Sequence, residues 1–206
     1  INLKLLIIDD NSTDDTIKII RSFDDNRIKL YINKNYGLVE SLKFGINKVE
    51  SEFMARMDSD DLSHPRRLEK QLKHLLESRS DICGCAFKTI NSKSIVLRKY
   101  NVPISHEDIY LRLANNVPFC HGSLLAKTAI FKHFTYGNSY KNKTNEDFNL
   151  WVKMIRNGIK FSNLKDEMYY LRIHNASRSY SENKNKFIKI SKIAHDRFFV
   201  EEKKGY

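Results

Sequence analysis

The chain has 206 residues, 41% of them hydrophobic and 30% charged, which fits one sizeable α/β domain or two small ones and excludes a disordered or fibrous protein. Its net charge of +11 suits a nucleotide, a phospholipid surface or a nucleic acid alike, and so selects none of them. No apolar run is long enough to span a membrane, and the first residues do not read as a secretory signal. Cys83, Cys85 and Cys120 form no disulfide framework and read as buried free thiols of a reducing cytoplasm.

In chain order, LKLLIIDD (3–10) reads as a fully buried strand, an apolar run closed by polar residues. NSTDDTIKIIRSF (11–23) follows as a helix with Asn11, Ser12 or Thr13 as its cap and Ile17, Ile20 and Phe23 on its buried face. RIKLYIN is a second strand. LVESLKFGINKV is a second helix, with Leu38, Leu42, Ile46 and Val49 on one side. EFMARM is a third strand, and PRRLEKQLKHLLES a third helix with Pro65 in its first turn and Leu68, Leu72, Leu75 and Leu76 inward. Three strand–helix alternations with short connections predict a parallel sheet with helices on both faces.

After Asp81 the rhythm changes. DICGCAFKTI and SIVLRKY read as strands with no helix between them, SHEDIYLRLANN as a helix and FCHGSLLAK as strand-like. NEDFNLWVKMIRNG is an amphipathic helix ending at Gly158, and IKFSNLKDEMYYLRIH returns as one or two strands. The segment 183–204 reads as a basic amphipathic helix carrying Phe187, Ile190, Ile193 and Phe198. It either packs on the domain or rests on an anionic membrane.

Two acidic motifs follow predicted strands: Asp9-Asp10, and Asp58-Ser59-Asp60-Asp61. In open α/β sheets ligands bind beyond the carboxyl ends of the strands. Three carboxylates this close repel, so solvent, the neighbouring Arg56, Arg66 and Arg67, or a bound cation must offset the cost. D-x-D at a strand end suits a hard divalent cation such as Mg²⁺ or Mn²⁺, which takes one or two carboxylates and leaves places for phosphate oxygens. A solvated turn is the alternative for the tripeptide alone. Neither acidic stretch has the Gly and Glu spacing of an EF-hand loop. Glu146 and Asp147 open a predicted helix, where simple capping accounts for acids.

The ordered set IIDDNSTDDT, NYGLVESLKFGINKVESEFMARMDSDD, HPRRLEKQ, HGSLLAKTAIF, NEDFNLWVKMIRNG and YYLRIHNASRS resembles inverting glycosyltransferases of family 2, from about Asn2 to Ser179. The resemblance implies a GT-A-like fold: a Rossmann-type, mostly parallel central sheet with helices on both faces and a mixed C-terminal half. It implies a glycosyltransferase domain over 1–180, with a nucleotide-sugar half of about 1–80 and an acceptor half of about 81–180; the basic amphipathic helix, read from its own residues, takes 181–206. By position, Asp10 resembles the residue that holds the base. Asp58 and Asp60 resemble the D-x-D pair, Asp60 as direct ligand of Mn²⁺ or Mg²⁺ and Asp58 nearer the ribose or sugar. Asp61 resembles a supporting acid. Asp147, beside Glu146, resembles the general base. His174 resembles a histidine that approaches the metal or diphosphate, with a packed core histidine as the alternative. Arg172 and Arg178 are candidate diphosphate contacts. His121 and Gly122 match a stretch near the donor sugar or acceptor.

The implied partners are a UDP-sugar and a saccharide or lipid-linked acceptor, in bacterial-type surface polysaccharide or glycolipid synthesis in the cytoplasm or on the inner membrane face. Family members begin with a further strand and helix, whereas Ile1 aligns just before their second strand. The expectation is therefore a partial chain, or a relative that binds nucleotide or glycan without turnover. A nucleic-acid binder driven by charge ranks last, because aromatic and basic residues do not interleave.

Overall fold

The computed structural model describes residues 2–34, 36–113, 117–137 and 146–174. The predicted helix over 181–206 and Arg178 lie outside these residues. The N-terminal unit comprises β1 (Leu5–Asp9), α1 (Thr16–Arg21), β2 (Ile28–Ile32) and α2 (Leu38–Lys48). β1 and β2 run parallel, from Leu5 opposite Ile28 to Asp9 opposite Ile32.

α1 begins later than its sequence suggests. Asn11 and Ser12 do not cap it; their backbone N–H groups and the Ser12 hydroxyl bond the Asp9 carboxylate instead. This local side-chain turn competes with helix for the same backbone donors, and Asn11 takes a left-handed φ of 70° to make it. Asp15 then precedes the first helical turn without a side-chain cap bond. On α2 the buried residues are Val39, Ser41 and Ile46, while Leu38 is exposed.

The remaining elements build one six-stranded sheet. They are β3 (Phe53–Ala55), β4 (Leu62–Ser63), α3 (Arg67–Glu77), β5 (Ile82–Ile90), β6 (Val96–Tyr100), α4 (His106–Leu113), a 3₁₀ turn at His121–Ser123, β7 (Leu125–Lys127), α5 (Thr128–His133), α6 (Glu146–Arg156) and β8 (Phe161–Arg172). The strand order is β3-β7-β5-β8-β4, with β6 also paired to β5. α5 had no counterpart in the sequence reading. α6 ends as expected, with Gly158 at a φ of 77°.

The α/β architecture agrees with expectation, but the strand directions are more mixed. Among the described residues β1 pairs with β2 alone, and β3 pairs antiparallel with β7 rather than joining β1. β5 and β8 are parallel along their length, whereas β7 and β6 meet β5 antiparallel and β4 meets β8 antiparallel. Alternating strand and helix patterns state which segments are extended; they do not state the partner.

Helices cover both faces of this sheet. Alternation along the strands sends Cys83 and Leu125 toward Leu75, Leu68 and Leu72 of α3. Ile82, Leu124, Ala126 and Phe161 point the other way, into a core shared with Ile109 of α4, Phe131 of α5 and Trp151 and Met154 of α6. α3 departs from its predicted stripe, since Leu76 is exposed while Arg67 and Gln71 are buried. Gln71 is inward and satisfied there, its amide donating to the carbonyls of Cys83 on β5 and Ser123 in the 3₁₀ turn.

Candidate active site

The loop between β3 and β4 carries Asp58, Asp60 and Asp61, and the fold gives each a different partner. Arg56 leaves the end of β3 and grips Asp58 with both terminal nitrogens, at 2.6 and 2.9 Å. This bidentate pair neutralises Asp58 within one strand end. Asp61 is buried, its two oxygens accepting from the Tyr169 hydroxyl at 2.6 Å and the Arg172 backbone N–H at 2.7 Å. Burial pushes its pKa up to about 6, against the pull of those two hydrogen bonds and with the charges of Asp58 and Asp60 adding to the rise.

Asp60 is left at the apex, its side chain 43% exposed, with His174 Nε2 3.0 Å from its Oδ2. Arg172 completes the loop: its Nε donates to the Asp60 carbonyl at 2.6 Å and its Nη1 to the Asn91 carbonyl at 2.8 Å. The guanidinium thereby ties the acidic loop to the β5–β6 hairpin. Of the bases that flank the cluster in sequence, Arg56 and Arg67 turn toward it, while Arg66 pairs with Glu69 at the surface.

The 3₁₀ turn lies directly behind this loop. A Cβ on Gly122 would collide with the Tyr169 hydroxyl and come 3.1 Å from Asp58 Oδ2, so only glycine permits the approach. The preceding His121 bonds the Tyr136 hydroxyl through Nε2 at 2.6 Å and meets the Trp151 ring edge-on, 5.4 Å between centroids. Burial, and secondarily the Arg56 guanidinium, hold His121 neutral by lowering its pKa well below the ordinary histidine range.

Trp151 anchors α6, and Asp147 lies four residues before it, on the same helical face. α6 therefore sets Asp147 one turn away from a ring that touches His121. The Asp147 carboxylate also accepts from the Phe148 N–H at 2.7 Å. Glu146 is the first residue of α6.

Asp10 belongs to a separate set of contacts at the end of β1. Its two oxygens accept from the backbone N–H groups of Tyr36 at 2.9 Å and Gly37 at 2.7 Å, fixing the entry to α2. Tyr36 is 60% exposed beside it.

Among the described residues no three His, Cys, Asp or Glu side chains enclose a metal ion by themselves. The donor set at Asp60 and His174 is one exposed carboxylate oxygen and one imidazole nitrogen at 3.0 Å. Mg²⁺ and Mn²⁺ keep water and phosphate oxygens in most of their positions, so a two-residue holder of this kind fits them. Asp58, already spoken for by Arg56, is the weaker candidate ligand.

The family model for glycosyl transferase family 2 matches residues 1–135. The chain belongs to glycosyl transferase family 2. Among its family 2 relatives, EpsE of Bacillus subtilis is 30% identical over 177 residues, which cover 83% of this chain and 63% of EpsE. The O-antigen biosynthesis glycosyltransferase WbnJ of Escherichia coli is 31% identical over 160 residues, 76% of this chain and 61% of WbnJ. The chain thus spans less than two thirds of either relative. S. aureus TarS 1–349, crystallised in complex with UDP-GlcNAc, superposes with a TM-score of 0.68 at 21% identity over 91% of this chain and 55% of TarS. This likeness establishes the GT-A fold.

Within that fold the sequence reading missed Tyr169. It is fully buried between the acidic loop and α3, and nothing local in YYLR marks its first tyrosine as the one that turns inward. Arg67 was noted only as a nearby charge. Its place beneath the loop follows from the buried polar face of α3.

Proposed function

We propose that this chain is the catalytic part of an inverting glycosyltransferase that moves a sugar from a UDP-sugar to an acceptor hydroxyl in surface polysaccharide or glycolipid synthesis, working in the cytoplasm. The observation that carries the reading is the sorting of the three acids. Arg56 occupies Asp58, Tyr169 and Arg172 occupy Asp61, and Asp60 is left open beside His174. A hydrogen-bonded and partly neutralised acidic loop with one open carboxylate suits a cation that arrives with a diphosphate. The UDP-GlcNAc and UDP complexes of TarS support a UDP donor. The O-antigen and amylovoran relatives support a polysaccharide product.

Asp60 and His174 would hold Mn²⁺ or Mg²⁺, which supplies positive charge against the negative charge that develops on the leaving diphosphate. Asp58, kept in place by Arg56, would face the ribose or the sugar. Asp10 would receive the base at the end of β1. Asp147 would take the proton from the acceptor hydroxyl as its oxygen bonds the anomeric carbon and the bond to the diphosphate oxygen breaks. A single displacement inverts the anomeric centre and needs no covalent nucleophile. The donor then occupies residues of about 1–80 and the acceptor the half over about 81–180.

The test is Asp147→Asn, read by release of UDP from UDP-GlcNAc with water as the acceptor. Loss of the base should slow release by ~10²- to 10⁴-fold while the Kd for UDP stays within about twofold. Release at the wild-type rate would overturn the assignment. A binding module without turnover gives no release from either protein.

A further inference from the structure

We propose that Tyr169 is a positioning residue whose hydroxyl, held beneath the Arg67 guanidinium and against Gly122, sets the acidic loop in the shape that lets Asp60 take a cation together with a diphosphate. The inference rests on the glycosyltransferase reading and adds to it a residue and a motif that the acids alone do not explain.

The hydroxyl is the meeting point of both ends of the loop. It accepts the Asp58 backbone N–H at 3.2 Å and donates its own proton to Asp61 Oδ2 at 2.6 Å. A phenol has one proton to give, so the direction of both bonds is fixed: backbone in, carboxylate out. Residues 58 and 61 are thereby stapled to a single oxygen, and the Asp61 N–H bonds the Asp58 carbonyl at 3.3 Å across the same turn. Asp60 is held at the crest between them, with its carboxylate outward.

The oxygen itself has little freedom to move. Tyr169 lies on β8 directly opposite Ser63 of β4, so its backbone is in register with the strand that follows the loop. The Arg67 guanidinium packs over its ring, 5.1 Å from the centroid. The same guanidinium donates to the Gly122 carbonyl at 3.0 Å and to the Arg56 carbonyl at 3.2 Å. One buried cation therefore joins α3, the end of β3 and the 3₁₀ turn around the tyrosine. The missing side chain at Gly122 leaves the space that the hydroxyl fills. This assigns separate tasks within the stretch His121-Gly122-Ser123: the histidine packs toward α6, and the glycine admits Tyr169.

A tyrosine that merely fills the core and satisfies its hydroxyl would affect stability alone. A positioning tyrosine affects the coupling between cation and nucleotide. The readout that separates the two is the ratio of the UDP Kd in EDTA to that in Mn²⁺, measured by calorimetry well below the melting transition. The proteins are the wild type, Tyr169→Phe and Gly122→Ala, each confirmed as folded by circular dichroism. Tyr169→Phe keeps the ring and removes the staple; Gly122→Ala keeps the hydroxyl and pushes it aside.

Both substitutions should lower the ratio by about tenfold or more, as the loss of groups that orient metal ligands does elsewhere, while the Kd in EDTA holds. If Tyr169→Phe does not fold, Gly122→Ala decides alone. An unchanged ratio accompanied only by a lower Tm would make Tyr169 a packing residue and overturn the proposal. A wild-type protein that binds UDP equally with and without Mn²⁺ would remove the cation reading itself, and the proposal with it.

Discussion

The two parts of the molecule are held together by different means. In the six-stranded part the apolar core is dense: Trp151 is fully buried against Phe119, Phe131 and Phe161, and β5 is buried along most of its length. In the N-terminal unit α1 has no buried residue, Ile19 and Phe23 are mostly exposed, and the buried hydrophobics are Val39 and Ile46 of α2. Val39 and Ile46 reach into the main core with Leu42, and the rest of the unit is organised by polar bonds. Asp9 gathers the turn after β1, Asn33 donates to Ser41, and Asp10 anchors Tyr36 and Gly37. The acidic loop grows from the well-packed part, while the residue proposed to hold the base sits on the thinly covered one. On the proposed reading the diphosphate would meet the well-packed end of the site and the nucleoside the thinly covered one.

The comparison breaks most visibly under truncation. Trp151→Ala should cost ~3–5 kcal/mol of unfolding free energy, because it empties the centre of the main core. Ile19→Ala on the exposed side of α1 should stay within ~0.5 kcal/mol. Chemical denaturation of both variants measures the contrast, and equal losses would mean that α1 is covered after all.

A smaller effect sharpens the same contrast chemically. Burial pushes the thiols of Cys83 and Cys120 up to about 12 and that of Cys85 up to about 11, so all three stay protonated and unreactive at pH 8. A disulfide reagent should label none of them in the native protein and all three in denaturant. Early labelling of Cys83 or Cys85 would show that β5 opens without global unfolding.

How much of this was legible in the sequence depends on the range of each interaction. Most strands and most helices followed from periodicity, β4 and α5 excepted and β1 less buried than its apolar run suggested, and the acids at two strand ends were visible as a cluster with Arg56 two residues away. What periodicity could not carry were contacts such as Tyr169 to Asp61 and Arg172 to Asp60, which span more than a hundred residues. It also could not say that β3 would meet β7, since an extended segment does not name its neighbour. On α3, leucines at helical spacing suggested an inward Leu76. Arg67 and Gln71 lie inward instead, donating to the carbonyls of Gly122 and Arg56 and of Cys83 and Ser123. At α1 the misjudged cap came from the preference of Asp9 for its own downstream amides, a competition between turn and helix that residue types alone leave open.

The central claim, that Asp60 is the open carboxylate of a cation–diphosphate site, is tested most directly by thermal unfolding with UDP in Mn²⁺ or EDTA, on the wild type and on Asp60→Ala. UDP at about 100 times its Kd should add ~2.7 kcal/mol, a rise of roughly 2–4 °C for a domain of this size. The account predicts that rise in Mn²⁺, little or none in EDTA, and its loss in Asp60→Ala. A rise that persists in Asp60→Ala, or is as large in EDTA as in Mn²⁺, would contradict it.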